Sequence, residues 1–191
     1  MTLPTPSTQL GEAQILIAVR ALLSNAALLP GYLSAQVTGL ASAGVTVTLP
    51  TPRTVAIGTW DSWRIDTDGA PALLIYIAGP TQWTPDDAGG TYQCETMIGV
   101  GIALTEGDIG GTTPGAVYLA SVAYAQAVAY CLQRWLSSAS WGGPSSIWDC
   151  VIQQTGAEAA PIPDSSGTLY RLSETTHLVR WQAIQQAPEQ P

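Results

Sequence analysis

With 191 residues, 46% of them hydrophobic and only 10% charged, the chain has material for one buried core. The charged share falls far below the roughly 25% of ordinary soluble domains, which fits a protein that hides surface in an assembly. Six Arg, no Lys and fourteen Asp plus Glu give a net charge of −8. That balance excludes a sequence-independent grip on the outside of DNA, which needs clustered cations.

Residues 1–7 read as an extended Pro/Thr/Ser arm. Ser7 or Thr8 is placed to cap a first helix, with Glu12 near its positive end. Leu10, Ala13, Ile17, Ala21 and Ser24 trace the stripe of that helix, widened by Leu16, Val19, Leu22 and Leu23, and Pro30-Gly31 signals its stop. The small, polar run Leu33 to Gly44 has no clear type. Val45 to Leu49 (VTVTL) alternates like a short strand and Arg53 to Trp60 like a second, while Asp68-Gly69 is a hairpin turn signal. Ala72 to Gly79 (ALLIYIAG) is a short apolar run suited to a buried strand.

After a loop of Pro, Gly and Asp at Gly79 to Gly90, Thr91 to Glu106 reads as one long strand. Tyr92, Cys94, Thr96, Ile98, Val100, Ile102 and Leu104 share its apolar face. Gln93, Glu95, Met97, Gly99, Gly101 and Ala103 share the other, where small residues admit the close approach of another backbone. Strands 72–78 and 91–106 are expected to pair antiparallel across the loop. Gly107 to Thr113 reads as a turn, Thr113 as a cap, and Pro114 as the first turn of a long helix to Leu136. Val117, Ser121, Tyr124, Val128, Cys131, Leu132 and Trp135 lie on one stripe of it, and Ala116, Ala120, Ala123 and Ala127 keep another side slim. Ser137 to Ser146 ends the helix. Ile147 to Gln154 alternates, Gly156 to Ser166 is a loop, and Leu169 to Leu172 and Thr176 to Gln185 are two last strands before the polar tail 187–191. The expected fold is a single α+β domain over 1–191, a mixed, mainly antiparallel sheet with a long hairpin packed against two helices.

Chemistry is sparse along this chain. Cys94, Cys131 and Cys150 are odd in number and form no CxxC pair, so they read as buried free thiols made in a reducing cytoplasm. His177, the one histidine, sits in a strand pattern and reads as a surface or partly buried residue, not as the partner of a cysteine nucleophile or a zinc ligand. Asp61, Asp66, Asp68, Asp86 and Asp87 cluster in turns, where Asp bonds local backbone, and the first group lacks the distal Glu of a calcium loop. No catalytic, cofactor-binding or metal-binding set emerges. Met1 to Pro6 lacks the basic start of a signal peptide. Gly110 to Gln133 is uncharged and nearly long enough to span a bilayer, but its Pro, Ser, Gln and Gly content and bare flanks fit a buried helix of a protein with no membrane partner. Of seven tryptophans, Trp60, Trp63 and Trp83 fall in or beside loops, where an aromatic stacks on a sugar or anchors an interface.

Three stretches carry a family resemblance: the opening helix LGEAQILIAVRALL at 10–23, the pair ALLIYIAG and TYQCETMIGVGIALTEGD, and the helix VAYAQAVAYCLQRWL at 122–136 followed by the closing strand HLVRWQAIQ. In this order of elements the chain resembles the tail terminator (tail completion, head–tail joining) proteins of long-tailed bacteriophages. The resemblance is one of pattern and carries over no functional residue. It implies a structural virion protein, made in the host cytoplasm, whose homohexameric ring caps the tail tube, stops its growth and joins it to the head connector or stopper protein. DNA then passes the lumen without specific binding, and an acidic wall that repels phosphate suits that passage. The segments 31–58 and 137–168 are long for the family. Trp60, Trp63, Arg64, Trp83, Asp86, Asp87, Gln93 and Glu95 are the candidate contacts with subunits or partners, on the hairpin and its neighbouring loops. Three alternatives stay open: another neck or tail tube protein, a Trp-bearing carbohydrate-binding module, and a small hydrolase using Asp66 and Asp68.

Overall fold

A computed structural model of the chain describes residues 11–58, 69–85, 91–110, 114–144, 146–157, 162–163 and 169–184. The fold is α+β. Two helices, α1 (Glu12–Leu23) and α2 (Leu29–Ser42), come first, followed by strands β1 (Thr54–Ile57), β2 (Ala72–Ile77), β3 (Gln82–Pro85) and β4 (Thr91–Thr105). A single helical turn, α3 (Glu106–Ile109), leads to the long helix α4 (Pro114–Trp135), and β5 (Ile147–Ala157), β6 (Ile162–Pro163) and β7 (Leu169–Ile184) complete the order. One sheet runs β1-β2-β4-β7-β5, with β3 added to β4 and β6 to β7. All pairs are antiparallel except β1 with β2.

The sheet is built around β4 and β7, which pair without a break from Thr91–Ile184 to Thr105–Tyr170. Alternation in β4 sorts its side chains as the sequence predicts: Cys94, Thr96, Ile98, Val100, Ile102 and Leu104 are all buried in the main core under the helices. Each large aliphatic among them contributes about 1.5–3 kcal/mol on full burial. On the other face of β4 the Tyr76 ring from β2 crosses over Gly99, and a Cβ there would lie 2.5 Å from Tyr76 Cζ. The Tyr76 hydroxyl donates to the Glu174 carboxylate on β7, so one side chain ties β2 to β7 across the central strand.

The helices lie on the core face. In α4 the predicted stripe holds: Val117, Ser121, Tyr124, Val128, Cys131 and Leu132 are buried, as are Ala120, Ala123 and Ala127 of its slim side. Among the described residues one helix is long and apolar enough to cross a membrane by length and composition, and it is this one; 61% of its span is buried inside the protein. In α1 the buried face is Ile15, Ala18, Val19, Leu22 and Leu23, and Ile17, placed on the predicted stripe, is 58% exposed. The helix opens from an extended Gly11, past Ser7 and Thr8, which lie outside the described residues, as does the predicted cap Thr113.

Further expectations are corrected. The first helix ends before Pro30-Gly31, at Leu23, but that pair is no turn: it sits in the first turn of α2, where a missing N–H costs nothing, and the untyped run 33–44 is largely the body of that helix. Val45 to Leu49 joins no ladder; Val47 and Leu49 are buried, but the Thr48 N–H donates to the Ile109 carbonyl of α3 at 2.8 Å, so a helix end takes the place of a strand. β1 and β2 run parallel and so are not the two arms of a hairpin, and Asp68 of the predicted Asp68-Gly69 turn lies outside the described residues. Gly107 to Ile109 is helical, held by a capping box in which the Thr105 side chain accepts from Asp108 N–H at 3.1 Å. The two last strands are one, β7.

Candidate functional site

The end of the sheet that carries β3 gathers the described candidate residues. Two rows cross four strands there. On the outer face the row is Gln82, Glu95, Arg180 and Asp149; on the helix face it is Trp83, Cys94, Trp181 and Ile147. Trp83 is 51% exposed on β3, all four residues of which are exposed. Its ring stands edge-on to Trp181 (5.5 Å, 75°) and Tyr92 (6.1 Å, 81°), so its own core holds one side and solvent meets the other. Trp181 is fully buried and its Nε1 donates to Thr96 Oγ1 at 2.9 Å. Thr96 in turn shares a hydrogen bond with Thr81, whose hydroxyl donates to Glu12 of α1. The exposed tryptophan therefore rests on a hydrogen-bonded chain that reaches the first helix.

Of the eight candidate contacts, Trp83, Gln93 and Glu95 fall among the described residues, and Gln93 is exposed beside Thr84 of β3. Trp60, Trp63, Arg64, Asp86 and Asp87 lie outside them, as do Asp61, Asp66 and Asp68. Glu95 is not a free carboxylate. Arg180 Nε donates to it at 2.7 Å, and Nη1 donates to Asp149 at 2.8 Å. These two hydrogen bonds hold the guanidinium still further into its charged form. The Arg180 Cζ also lies 6.0 Å from the centre of the Trp148 ring, a half-exposed residue on β5 that sequence reading did not single out.

On the helix face, one strand turn away, a second polar group is hidden. His177 is fully buried and not the surface or partly buried residue the alternation led us to expect. Thr175 Oγ1 donates to the Gln154 carbonyl at 3.2 Å, so it accepts from His177 Nε2–H at 2.9 Å. The other ring nitrogen, Nδ1, is left to accept from the Cys150 thiol at 3.7 Å. Burial lowers the His177 pKa to about 4; burial, then the Asp149 charge, push the Cys150 thiol up to about 12. Both groups are thus neutral at pH 7. A thiolate nucleophile needs the reverse, an imidazolium beside a thiol of lowered pKa. This Cys–His pair is a satisfied core network, and the cysteines are free and buried as predicted.

A shallow cavity of about 260 Å³ opens between β5 and β7, lined by Gln154, Gly156, Leu172, Glu174 and Thr176 among others. Its one carboxylate, Glu174, is engaged by Tyr76. Among the described residues, no three of His, Cys, Asp or Glu stand close enough to hold a metal ion.

Charge is distributed unevenly. The described residues hold six carboxylates and five guanidiniums, so seven of the eight net negative charges belong to the segments between and beyond them. Within the body, Arg53 pairs with Asp108 and Arg171 with Glu106, both at 3.5 Å, and Arg134 lies 6.0 Å from the Trp135 ring centre. The body of sheet and helices is close to neutral and internally paired. What this arrangement offers is surface for contact, with its aromatic anchors at the sheet margins. In comparisons with known proteins, no family model matches the chain and no curated sequence matches it.

Proposed function

We propose that this chain is a structural virion protein, the tail terminator of a long-tailed bacteriophage, and not an enzyme. In this reading a homohexameric ring caps the tail tube, halts its polymerisation and receives the head connector, while DNA passes through the lumen. The observation that carries it is the arrangement of the resembling stretches. The opening helix packs under the sheet, the pair 72–77 and 91–105 are antiparallel neighbours, the long helix lies across the same face, and the closing strand pairs with the central one. The near-neutral balance of the described residues supports subunit packing, and the acidic surplus of the whole chain supports a passage that does not hold DNA. Trp83, Gln93 and Glu95, at the open end of the hairpin, are the residues we assign to contacts with the tube, the connector or a neighbouring copy.

Light scattering with negative-stain imaging of the purified chain tests the ring, and adding it to polymerising tube protein tests the cap. Six-fold rings that stop tube growth at a fixed end are the expected outcome. Tubes that grow unhindered in the presence of assembled rings would overturn the reading. A second reading, a carbohydrate-binding module, draws on the half-exposed Trp83; saturable binding in a glycan screen, lost in Trp83→Ala, would favour it over the first.

A further inference from the structure

The large apolar side chains left exposed among the described residues fall in two groups, one at each margin of the sheet. Ile17 on α1, Ile57 on β1 and Trp83 on β3 stand at one margin. Tyr118, Leu119 and Tyr130 on α4 and Trp148 on β5 stand at the other. Each margin has the same two layers. Helix α1 packs on β1 and β2, and α4 packs on β5 and β7. Both edge strands pair on one side only among the described residues. β1, TVAI, carries neither a charge nor a proline; on β5 the one charge, Asp149, is paired with Arg180, and from Cys150 to Ala157 the strand reads CVIQQTGA. Two register shifts bend β5 early, and its ladder then resumes over Gln154 to Ala157. Arg20 Nε covers one carbonyl of β1, that of Val55, at 3.2 Å.

Strand direction makes the margins complementary. Following the pairings across the sheet, β1 and β3 both run opposite to β5. A second copy set beside the first in the same orientation would therefore add its β1 margin to β5 antiparallel, the more stable ladder. It would also bring its α1 beside α4, so that helix layer meets helix layer and exposed apolar residues meet each other. On a chain of net charge −8, the margins of the near-neutral body, with Arg20 on α1 and Arg134 on α4, are where copies approach without the repulsion of clustered carboxylates. We propose that copies of this chain associate head to tail, the β5–α4 margin of one receiving the β1–α1 margin of the next. From the proposed function this takes only that copies meet. A contact between two different patches closes a ring when its rotation closes.

Cross-linking tests it. Ile57 and Thr155 lie in one row of the sheet, Ile57–Ile75–Val100–Thr175–Thr155, and the native cysteines are all buried and silent to a mild oxidant. Oxidising a mixture of Ile57→Cys and Thr155→Cys chains should give covalent dimers, the double variant a ladder of multimers, and either single variant alone none. Tyr130→Lys should reduce the assembled mass at unchanged melting temperature. Self-cross-linking of Thr155→Cys alone would overturn the head-to-tail contact. So would a mixture that stays uncross-linked although light scattering shows assembly, or a chain monomeric at every attainable concentration. Rings that cross-link here but leave tube growth unhindered would sink the tail reading and keep the contact; rings that cap tubes without these cross-links would do the reverse.

Discussion

His177 and Arg180 stand three residues apart on β7 and face opposite sides of the sheet. On the helix side, where water is excluded, His177, Thr175 and Cys150 form a neutral cluster in which each ring nitrogen of His177 has a hydrogen-bond partner. On the other side Arg180 keeps its charge between two carboxylates and a tryptophan, with solvent at hand. The same strand therefore shows both ways of placing polar groups: hydrogen bonds without charge inside, charge with screening outside. The difference predicts that the inner cluster governs stability and the outer one governs what the surface meets.

Four experiments would sharpen that contrast, in falling order of effect. Trp181→Ala empties the largest buried side chain of β7 and removes the ring on which Trp83 rests; a loss of about 3–5 kcal/mol in denaturant unfolding is expected, with a blue-to-red shift in tryptophan emission as Trp83 is released. Acidification comes next. With His177 lowered to about 4 in the folded chain against about 6.5 unfolded, the unfolded chain binds the extra proton between those values. The contribution is therefore fully present above pH 6.5 and falls away as pH drops towards 4, by roughly 3 kcal/mol in all. Chemical denaturation at stepped pH should show this slope, and His177→Asn, which cannot take up the proton, should lack its share of it. A smaller loss, about 1–2 kcal/mol, is expected for Thr175→Val, which strands the His177 Nε2–H. Least of all is Arg180→Met: the melting temperature should hold, while the salt dependence of association changes. A large fall in melting temperature for Arg180→Met alone would break the contrast.

Much of this architecture was legible where burial is one-sided and apolar. The long strand 91–105, its partner at 72–77 and the helix 114–135 follow from period and length. The pattern misled where its physical cause lay elsewhere. Strand β7 looked like two because the polar Ser173, Glu174 and Thr175 interrupt the pattern between 169–172 and 176–185, although Ser173 and Thr175 are buried in step with Arg171 and His177 along one strand. Val45 to Leu49 alternates because one side is buried, and alternation does not say whether the backbone meets a strand or the end of α3. Helix α2 begins with the same Pro-Gly that elsewhere stops one. Of the candidate contact residues, Trp83 was visible as an aromatic in a polar loop. Trp148 was not, because its strand alternates and exposure on a bulged edge leaves no mark in sequence.

The unbroken fifteen-pair ladder between β4 and β7 has a mechanical side. Pulled along the strands from opposite ends, its hydrogen bonds share the load and must yield together. Pulled apart from the Thr91–Ile184 end, they meet the force one after another, like a zip. The molecule is therefore stiff against tension along β4 and compliant to peeling at the end where Trp83 and Trp148 are displayed. A pulling experiment through those two geometries should return clearly different rupture forces, the shear geometry being the higher.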